Sequence, residues 1–387
     1  MFSNRLRYSL EENALWRALT RKRAEGDDVY DLTESNPTRI GLHYPADAIL
    51  AAISLPESLT YQPSPTGLVE ARQAIAAYYR QRDTVVAPDD IVLTSSTSEA
   101  YGFLFKLLCE PGDTVLVPRP SYPLHEFLAS LDAVELMPYD VDYGVPDSLP
   151  SRCRAIAAVH PNNPTGAYVS SAHAERMLAL SERHDVAVIV DEVFLDYPHA
   201  KAVRPVSFAG GDARGLVFVL SGLSKLAGLP QMKLGWIVAG GAVERRREAI
   251  DRLAHIADTY LSVGAPVQHA TARLLELGTV VRASLQERVA RNLKVLAEEL
   301  RSVPEVSCPT PEGGWYAVVR LPAIASSEDW ALDFLERASV YVHPGAFFGF
   351  GPGVHAVVSL LPPPERFREG VRRVLGVVAD RVNSSSA

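Results

Sequence analysis

The sequence predicts an α/β protein: a large domain built on a seven-stranded, mostly parallel sheet, with a smaller α+β domain attached. Three observations carry this. Short apolar runs alternate with helical stretches from about residue 70 onward. Those runs are rich in β-branched residues and nearly uniform in hydrophobicity, as strands covered on both faces are. A long helical stretch over 250–300 then separates them from a second, shorter set of strands and helices.

In chain order, residues 1–45 read as an arm: a polar helix, then the loop Glu34-Ser35-Asn36-Pro37-Thr38, where the Asn-Pro step breaks any helix. Helical patterns follow at Leu68–Arg82 and Glu99–Leu108. The seven apolar runs are Ile91–Leu93, Thr114–Val117, Val134–Met137, Ala155–Val159, Val186–Val190, Val217–Leu220 and Leu234–Val238. Helices between strands imply parallel pairing. In the second set, Trp315–Leu321, Val340–His343 and His355–Leu361 read as strands, and Trp330–Ala338 and Arg366–Val382 as helices. The expected division is an arm at 1–45 that joins the small domain, a large domain at 46–280 and the small domain at 281–387. No internal repeat is present.

Length and composition suit this plan. The chain has 387 residues, too many for one ordinary core. With 47% hydrophobic and 22% charged residues, disorder is expected only in the tail Asn383–Ala387. A net charge of −8, with Arg245-Arg246-Arg247 as a short basic run on a solvated helix face, argues against nucleic-acid or membrane partners. Cys109, Cys153 and Cys308 are odd in number and lack metal-ligand spacing, so no metal site is expected and a reducing, cytoplasmic compartment fits. The first seven residues lack an apolar signal core, and no apolar run is long enough to span a bilayer.

In an open α/β sheet, ligands sit outside the carboxyl ends of the strands. Polar groups stand at several of those ends. Thr94-Ser95-Ser96-Thr97-Ser98-Glu99 opens a helix, which suits an anion or is simply an N-cap. His160-Pro161-Asn162-Asn163-Pro164-Thr165-Gly166 follows one run, Asp191-Glu192 the next and Ser221-Gly222-Leu223-Ser224-Lys225 a third. Singly, each has an ordinary structural reading: a cap, a turn, a solvated lysine. Together, in this order on one sheet, they point to a site.

The combination resembles the class I/II aminotransferases of pyridoxal 5'-phosphate (PLP) fold type I. The matching pieces are Tyr61 with Pro65-Thr66-Gly67, Pro111-Gly112-Asp113, Pro120-Ser121-Tyr122-Pro123, Asn163-Pro164-Thr165-Gly166, Asp191-Glu192 and Ser224-Lys225. The resemblance implies that Lys225 forms a Schiff base with PLP and then moves the substrate's proton. Asp191 would pair with the pyridine nitrogen, Asn163 would donate to the phenolic oxygen and Tyr122 would stack on the ring. Ser96, Thr97, Ser98, Ser221 and Lys233 would hold the phosphate. Tyr61 would reach the phosphate of a neighbouring subunit, which implies a homodimer with shared active sites.

Three positions depart from the family's pattern. Lys233 stands where an arginine usually grips the phosphate, keeping the charge and losing the bidentate fork. Phe194 stands where a tyrosine often shares the phenolic oxygen with the asparagine. Val357, two positions before Ser359, stands where an arginine usually clamps the substrate carboxylate. Arg39 and Arg320 are candidate replacements for that clamp, and Asn36 in the arm loop is a further substrate candidate; His343 and His355 could also contact the substrate, although a lone histidine on a strand is more often structural.

The resemblance implies a PLP-dependent aminotransferase passing an amino group between an amino acid and a 2-oxo acid. A PLP lyase acting by C–S cleavage or β-elimination would use the same Lys225 and Asp191. A non-catalytic PLP-binding protein is a third reading, against which stand the intact Lys225, Asp191 and Asn163.

Overall fold

The computed structural model describes residues 2–6, 13–199, 205–211 and 213–385. Part of the expected arm, residues 1 and 7–12, and the end of the tail, residues 386 and 387, lie outside them.

The chain begins with α1 (Ala14–Glu25), capped by the Asn13 side chain accepting from the Trp16 N–H and closed by Gly26 in the left-handed conformation (φ 85°). This is the standard polar start and glycine stop of a helix. The short strand β1 (Tyr30–Asp31) and α2 (Ala46–Ile53) follow.

Helix α3 (Val69–Arg80) leads into the large sheet. Its strands are β2 (Ile91–Thr94), β3 (Thr114–Arg119), β4 (Glu135–Asp140), β5 (Cys153–Val159), β6 (Ala187–Asp191), β7 (Val217–Gly222) and β8 (Gly235–Gly240). Between and after them run α4 (Thr97–Leu108), α5 (Leu124–Leu131), α6 (Ser171–His184), the one-turn α7 (Leu223–Leu226) and α8 (Val243–Tyr260). Strand order is β2-β8-β7-β6-β5-β3-β4. All pairs are parallel except those of β8, which is antiparallel to both β2 and β7. The apolar runs of the central strands follow from burial on both faces, whereas the edge strand β4 is mostly exposed. One layer of side chains includes Ile156, Val188, Val219 and Trp236; the other includes Ala155, Ile189, Phe218 and Ile237.

Helix α9 (Ala265–Glu299) is 35 residues long and joins two cores. Its Val267, Ala270 and Leu274 pack under the large sheet, while Val281, Leu285 and Val289 pack with the C-terminal elements. Those elements are β9 (Tyr316–Leu321), α10 (Ser327–Ala338), β10 (Val340–Tyr341), β11 (His343–Pro344), β12 (Val354–Ser359) and α11 (Pro364–Ser385). Strands β11, β12 and β9 form an antiparallel sheet in that order.

Two details differ from the sequence reading. The expected strand Val340–His343 is two strands serving different partners. β10 pairs in parallel with β1, Tyr30 opposite Val340, whereas β11 pairs with β12, His343 opposite Val357. The buried Val342 marks the change. The tail is also more ordered than expected: α11 continues to Ser385, with the Ser384 hydroxyl donating to the Asp380 carbonyl at 2.8 Å. No helix among the described residues is long and apolar enough to cross a membrane.

Topology decides where polar residues collect. Strands β5, β6 and β7 are parallel, so their carboxyl ends lie on one edge of the sheet. Two antiparallel pairings relate β2 to β7, so β2 ends on that edge too. β8 runs the other way and enters from the same edge, bringing the loop before it, with Lys233, to the site.

Candidate active site

A cavity of 330 Å³ opens at this edge. Its wall includes Ser96, Thr97 and Ser98 from the start of α4, Asn163 after β5, Asp191 at the end of β6, Lys225 in α7 and Lys233 before β8. Tyr122, about half exposed, stands at the wall from the loop before α5.

The cradle at α4 follows from helix-start chemistry. Ser96 is the N-cap, and its side chain accepts from the Glu99 N–H at 3.1 Å. The Glu99 carboxylate reaches back to the Ser95 N–H at 2.6 Å. Thr97 and Ser98 occupy the first turn, where backbone N–H groups have no intrahelical acceptor. Both residues line the cavity, where their hydroxyls and free N–H groups can serve an anion, reinforced by the positive end of the helix dipole. The backbone packs closely at the two glycines nearby. A Cβ on Gly235 would stand 3.1 Å from the Ser96 carbonyl carbon, and one on Gly222 would stand 2.8 Å from the Leu234 oxygen.

Lys233 contributes a cation to the same region from a left-handed backbone (φ 51°), a conformation few non-glycine residues adopt. It makes no ion pair among the described residues.

Lys225 is positioned by aromatic rings and backbone. Its Nζ lies 5.0 Å from the centre of the Trp315 ring and 5.8 Å from that of Phe194. The Tyr197 hydroxyl donates to its carbonyl at 2.7 Å. Burial pushes its amine down to about 8, partly opposed by the negative charge of Asp191. Asp191 moves the other way. Burial raises it to about 6, while the Val193 N–H and the Lys225 charge pull it down. A lysine brought toward neutrality next to a carboxylate that resists ionisation marks a functional site. Asn163 adds a buried amide oxygen with no hydrogen-bond partner. Such an atom at a cavity wall calls for a polar group of a bound molecule.

Not every candidate reaches this cavity. Ser221 is buried within β7, and Ser224, one helical step before Lys225, takes its place on the wall. Tyr61 is exposed and lines a separate 170 Å³ cavity with Ser262 and His269. Asn36 is occupied with its own loop, its side-chain oxygen accepting from the Thr38 N–H and hydroxyl. Arg39 lines another pocket beside Asp31 and Arg366. Arg320 is exposed on β9, its backbone paired with Ser307. Neither arginine lines this cavity. Val357 is sealed into an apolar cluster with Val318 and Phe348.

Other wall residues escaped the sequence reading. Tyr101 sits one helical turn after Thr97, a spacing that was available as a signal. Its buried hydroxyl has no partner, and its ring packs edge-on against His125 at 4.9 Å. Ser35, Tyr316, His343 and Phe348 come from the arm and the small sheet, so only long-range pairing reveals them. Of these, His343 reads from the sequence as a possible substrate contact, with a structural role favoured.

Comparison with known proteins identifies the family. The family profile for aminotransferase class I and II covers residues 27–369. The chain belongs to the class I and II aminotransferase family. Among its relatives, the alanine aminotransferase of Mycobacterium tuberculosis is 28% identical over 370 residues, covering 88% of this chain and 83% of that protein. The glutamate-pyruvate aminotransferase AlaA of Haemophilus influenzae is 24% identical over 378 residues, covering 92% of each. The solved structure of alanine aminotransferase from Pyrococcus furiosus superimposes with a TM-score of 0.85 at 26% identity, covering 98% of this chain and 100% of that one. The enzyme is thus an aminotransferase, and amino acids and 2-oxo acids are the substrates this activity implies.

Proposed function

We propose that this aminotransferase works through PLP held covalently by Lys225, with the cavity residues dividing the work of binding and proton transfer. The observation that carries the reading is the meeting of Lys225, Asp191, Asn163 and the α4 N-terminus in one cavity. When bound, the cofactor supplies an electron sink that lets the proton on the substrate's amine-bearing carbon leave.

The phosphate would be held by the N–H groups and hydroxyls of Thr97 and Ser98, by Ser96 and Ser224 and by the Lys233 ammonium. Asp191 would hold the ring nitrogen. A cationic partner there favours its carboxylate and offsets the burial that now raises it toward 6. The Asn163 side-chain N–H would donate to the ring's phenolic oxygen, without help from Phe194, which carries no hydroxyl. Tyr122 would cover a ring face. Lys225, whose amine burial lowers to about 8, is the base that takes the proton and returns it, because it gives up its own proton more readily than an ordinary lysine.

The assembly is a homodimer in this reading. Tyr61, Leu59 and Leu261 are largely exposed apolar side chains of nearby loops, which supports a partner on that face and Tyr61 in the partner's cavity. The three free thiols support a reducing, cytoplasmic setting.

The test is to load the protein with PLP, reduce it with borohydride and map the modified peptide by mass. Labelling at Lys225 alone is expected. Labelling at Lys233 instead, or no label, would refute the assignment.

A further inference from the structure

Granting the cofactor site just proposed, the rest of the cavity wall names the kind of substrate it accepts. Opposite the serine cradle the wall is made by Ser35, Tyr316, His343, Phe348, Val193 and Phe194. None of these is a fixed cation. Among the described residues no arginine lines the cavity, and its two lysines are Lys225 and Lys233. Both are already engaged, one with the cofactor's reactive carbon and one with its phosphate.

The wall's histidines do not make up the difference. Burial takes His125 down to about 4 and also lowers His343. His343 packs with aromatic rings, 5.9 Å from Phe348 and 6.2 Å from Phe347. Behind Phe348 the wall is backed by buried Val318 and Val357, which face each other across β9 and β12. What remains polar is neutral: the Ser35 hydroxyl and the Tyr316 hydroxyl, which are hydrogen-bonded to each other, with burial keeping Tyr316 protonated up to about 12.

Charge decides what such a wall can take. In this reading Asp191 is matched by the cationic ring nitrogen, and the bound phosphate by Lys233 and the α4 N–H groups, so among the described residues the cavity wall leaves no cation for a further carboxylate. A single substrate carboxylate can be met by neutral donors such as Ser35 and Tyr316. A second carboxylate would enter a partly buried space with no cation assigned to it, and an unpaired charge there is costly. An aromatic or aliphatic side chain instead gains apolar contact with Phe348, Phe194 and Val193.

We propose that this site selects substrates with one carboxylate and an apolar or aromatic side chain, and discriminates against dicarboxylic donors and acceptors.

The test uses the PLP-loaded protein and follows its visible absorbance after mixing with one donor and no acceptor. Leucine, phenylalanine and alanine are compared with aspartate and glutamate. The best neutral donor should react with an apparent second-order rate constant on the order of 100-fold above either acidic one. Binding is read separately with unreactive acids. The absorbance change caused by 3-phenylpropionate should be half-complete at a concentration at least about 10-fold below that needed for glutarate. If the protein captures PLP but an acidic donor matches the best neutral one, if no donor reacts, or if glutarate binds as tightly, this inference fails and the cofactor site stands. Failure to capture PLP would bring down both.

Discussion

The Ser359 hydroxyl donates to the Glu34 carbonyl at 2.7 Å, tying the small sheet to the arm loop that presents Ser35 to the cavity. The same residue's N–H donates to the Leu32 carbonyl at 2.7 Å, and its hydroxyl oxygen accepts from the Leu361 N–H at 3.2 Å. Ser359 is fully buried, so its bonding partners have no water in reserve. Ser359→Ala should destabilise the protein by ~1–3 kcal/mol, the cost of leaving buried groups unpaired. Because it frees the loop carrying Ser35, it should raise KM for the donor more than it lowers kcat. Thermal melts and steady-state kinetics check both. An unchanged KM would mean that the loop holds its place without this bond.

Capture of PLP should depend on pH through Lys225. The uncharged amine is the reactive form, and burial brings its midpoint to about 8 from an ordinary 10.5. The rate of cofactor capture by the apo-protein should therefore rise with pH up to about 8 and level off above it. Asp191 opposes that lowering, so Asp191→Asn should move the midpoint lower still. A rate that kept climbing toward 10 would contradict the placement of Lys225 against Trp315 and Phe194.

Lys233 should matter by its charge more than by its shape. Lys233→Ala should weaken PLP affinity by ~10- to 100-fold, the worth of a charge-assisted contact. Lys233→Arg should retain affinity. Both variants keep a Cβ at the left-handed position, so backbone strain is common to them. Fluorescence titration of the apo-proteins with PLP measures the two constants. Equal affinity of Lys233→Ala and the unmodified protein would remove Lys233 from the phosphate site.

Asp113 predicts the acid limit of the fold. Its buried carboxylate accepts from the Glu110 N–H at 2.9 Å, from Arg154 at 2.8 Å and from Arg152 at 2.9 Å, which together lower it to about 2 from 3.8. A carboxylate with a depressed folded value stabilises above the unfolded value and loses that contribution as pH falls through the folded one. The stabilisation should therefore be complete above about pH 4 and vanish toward pH 2. Asp113→Asn should lower the melting temperature at neutral pH and flatten its fall between pH 4 and 2. A mutant that tracks the unmodified protein throughout would show that the three contacts contribute nothing.

Much of the large sheet was legible because its strands are buried on both faces. Runs such as Val188–Val190 and Val217–Leu220 leave no polar position to confuse a strand with a surface helix. The reversed direction of β8 was not legible, because burial on both faces reads the same in either direction. Asn163, Asp191 and Lys225 could be picked out because each lies at, or within a few residues of, the carboxyl end of a strand, in motifs that resemble a known family. Ser221 could not be told from Ser224: whether the chain has left β7 for α7 is a matter of backbone path, not composition. The far wall was hidden for a different reason. Ser35, Tyr316, His343 and Phe348 meet only when the arm and the small sheet fold over the cavity, and nothing local in their segments records that. Arg39 and Arg320 were plausible by charge alone, but neither lines the cavity: Arg39 lines another pocket, and Arg320 lies two positions beyond Val318 on β9 and is exposed.

The most direct measurement is a visible spectrum of the PLP-loaded protein during one half-reaction. A single amino-acid donor is added without acceptor, and a 2-oxo acid is added afterwards. The account predicts that the donor removes the visible band, that the 2-oxo acid restores it, and that Lys225→Ala shows no such band at the outset. A band that persists in Lys225→Ala, or a loss that no 2-oxo acid reverses, would contradict amino-group transfer through Lys225.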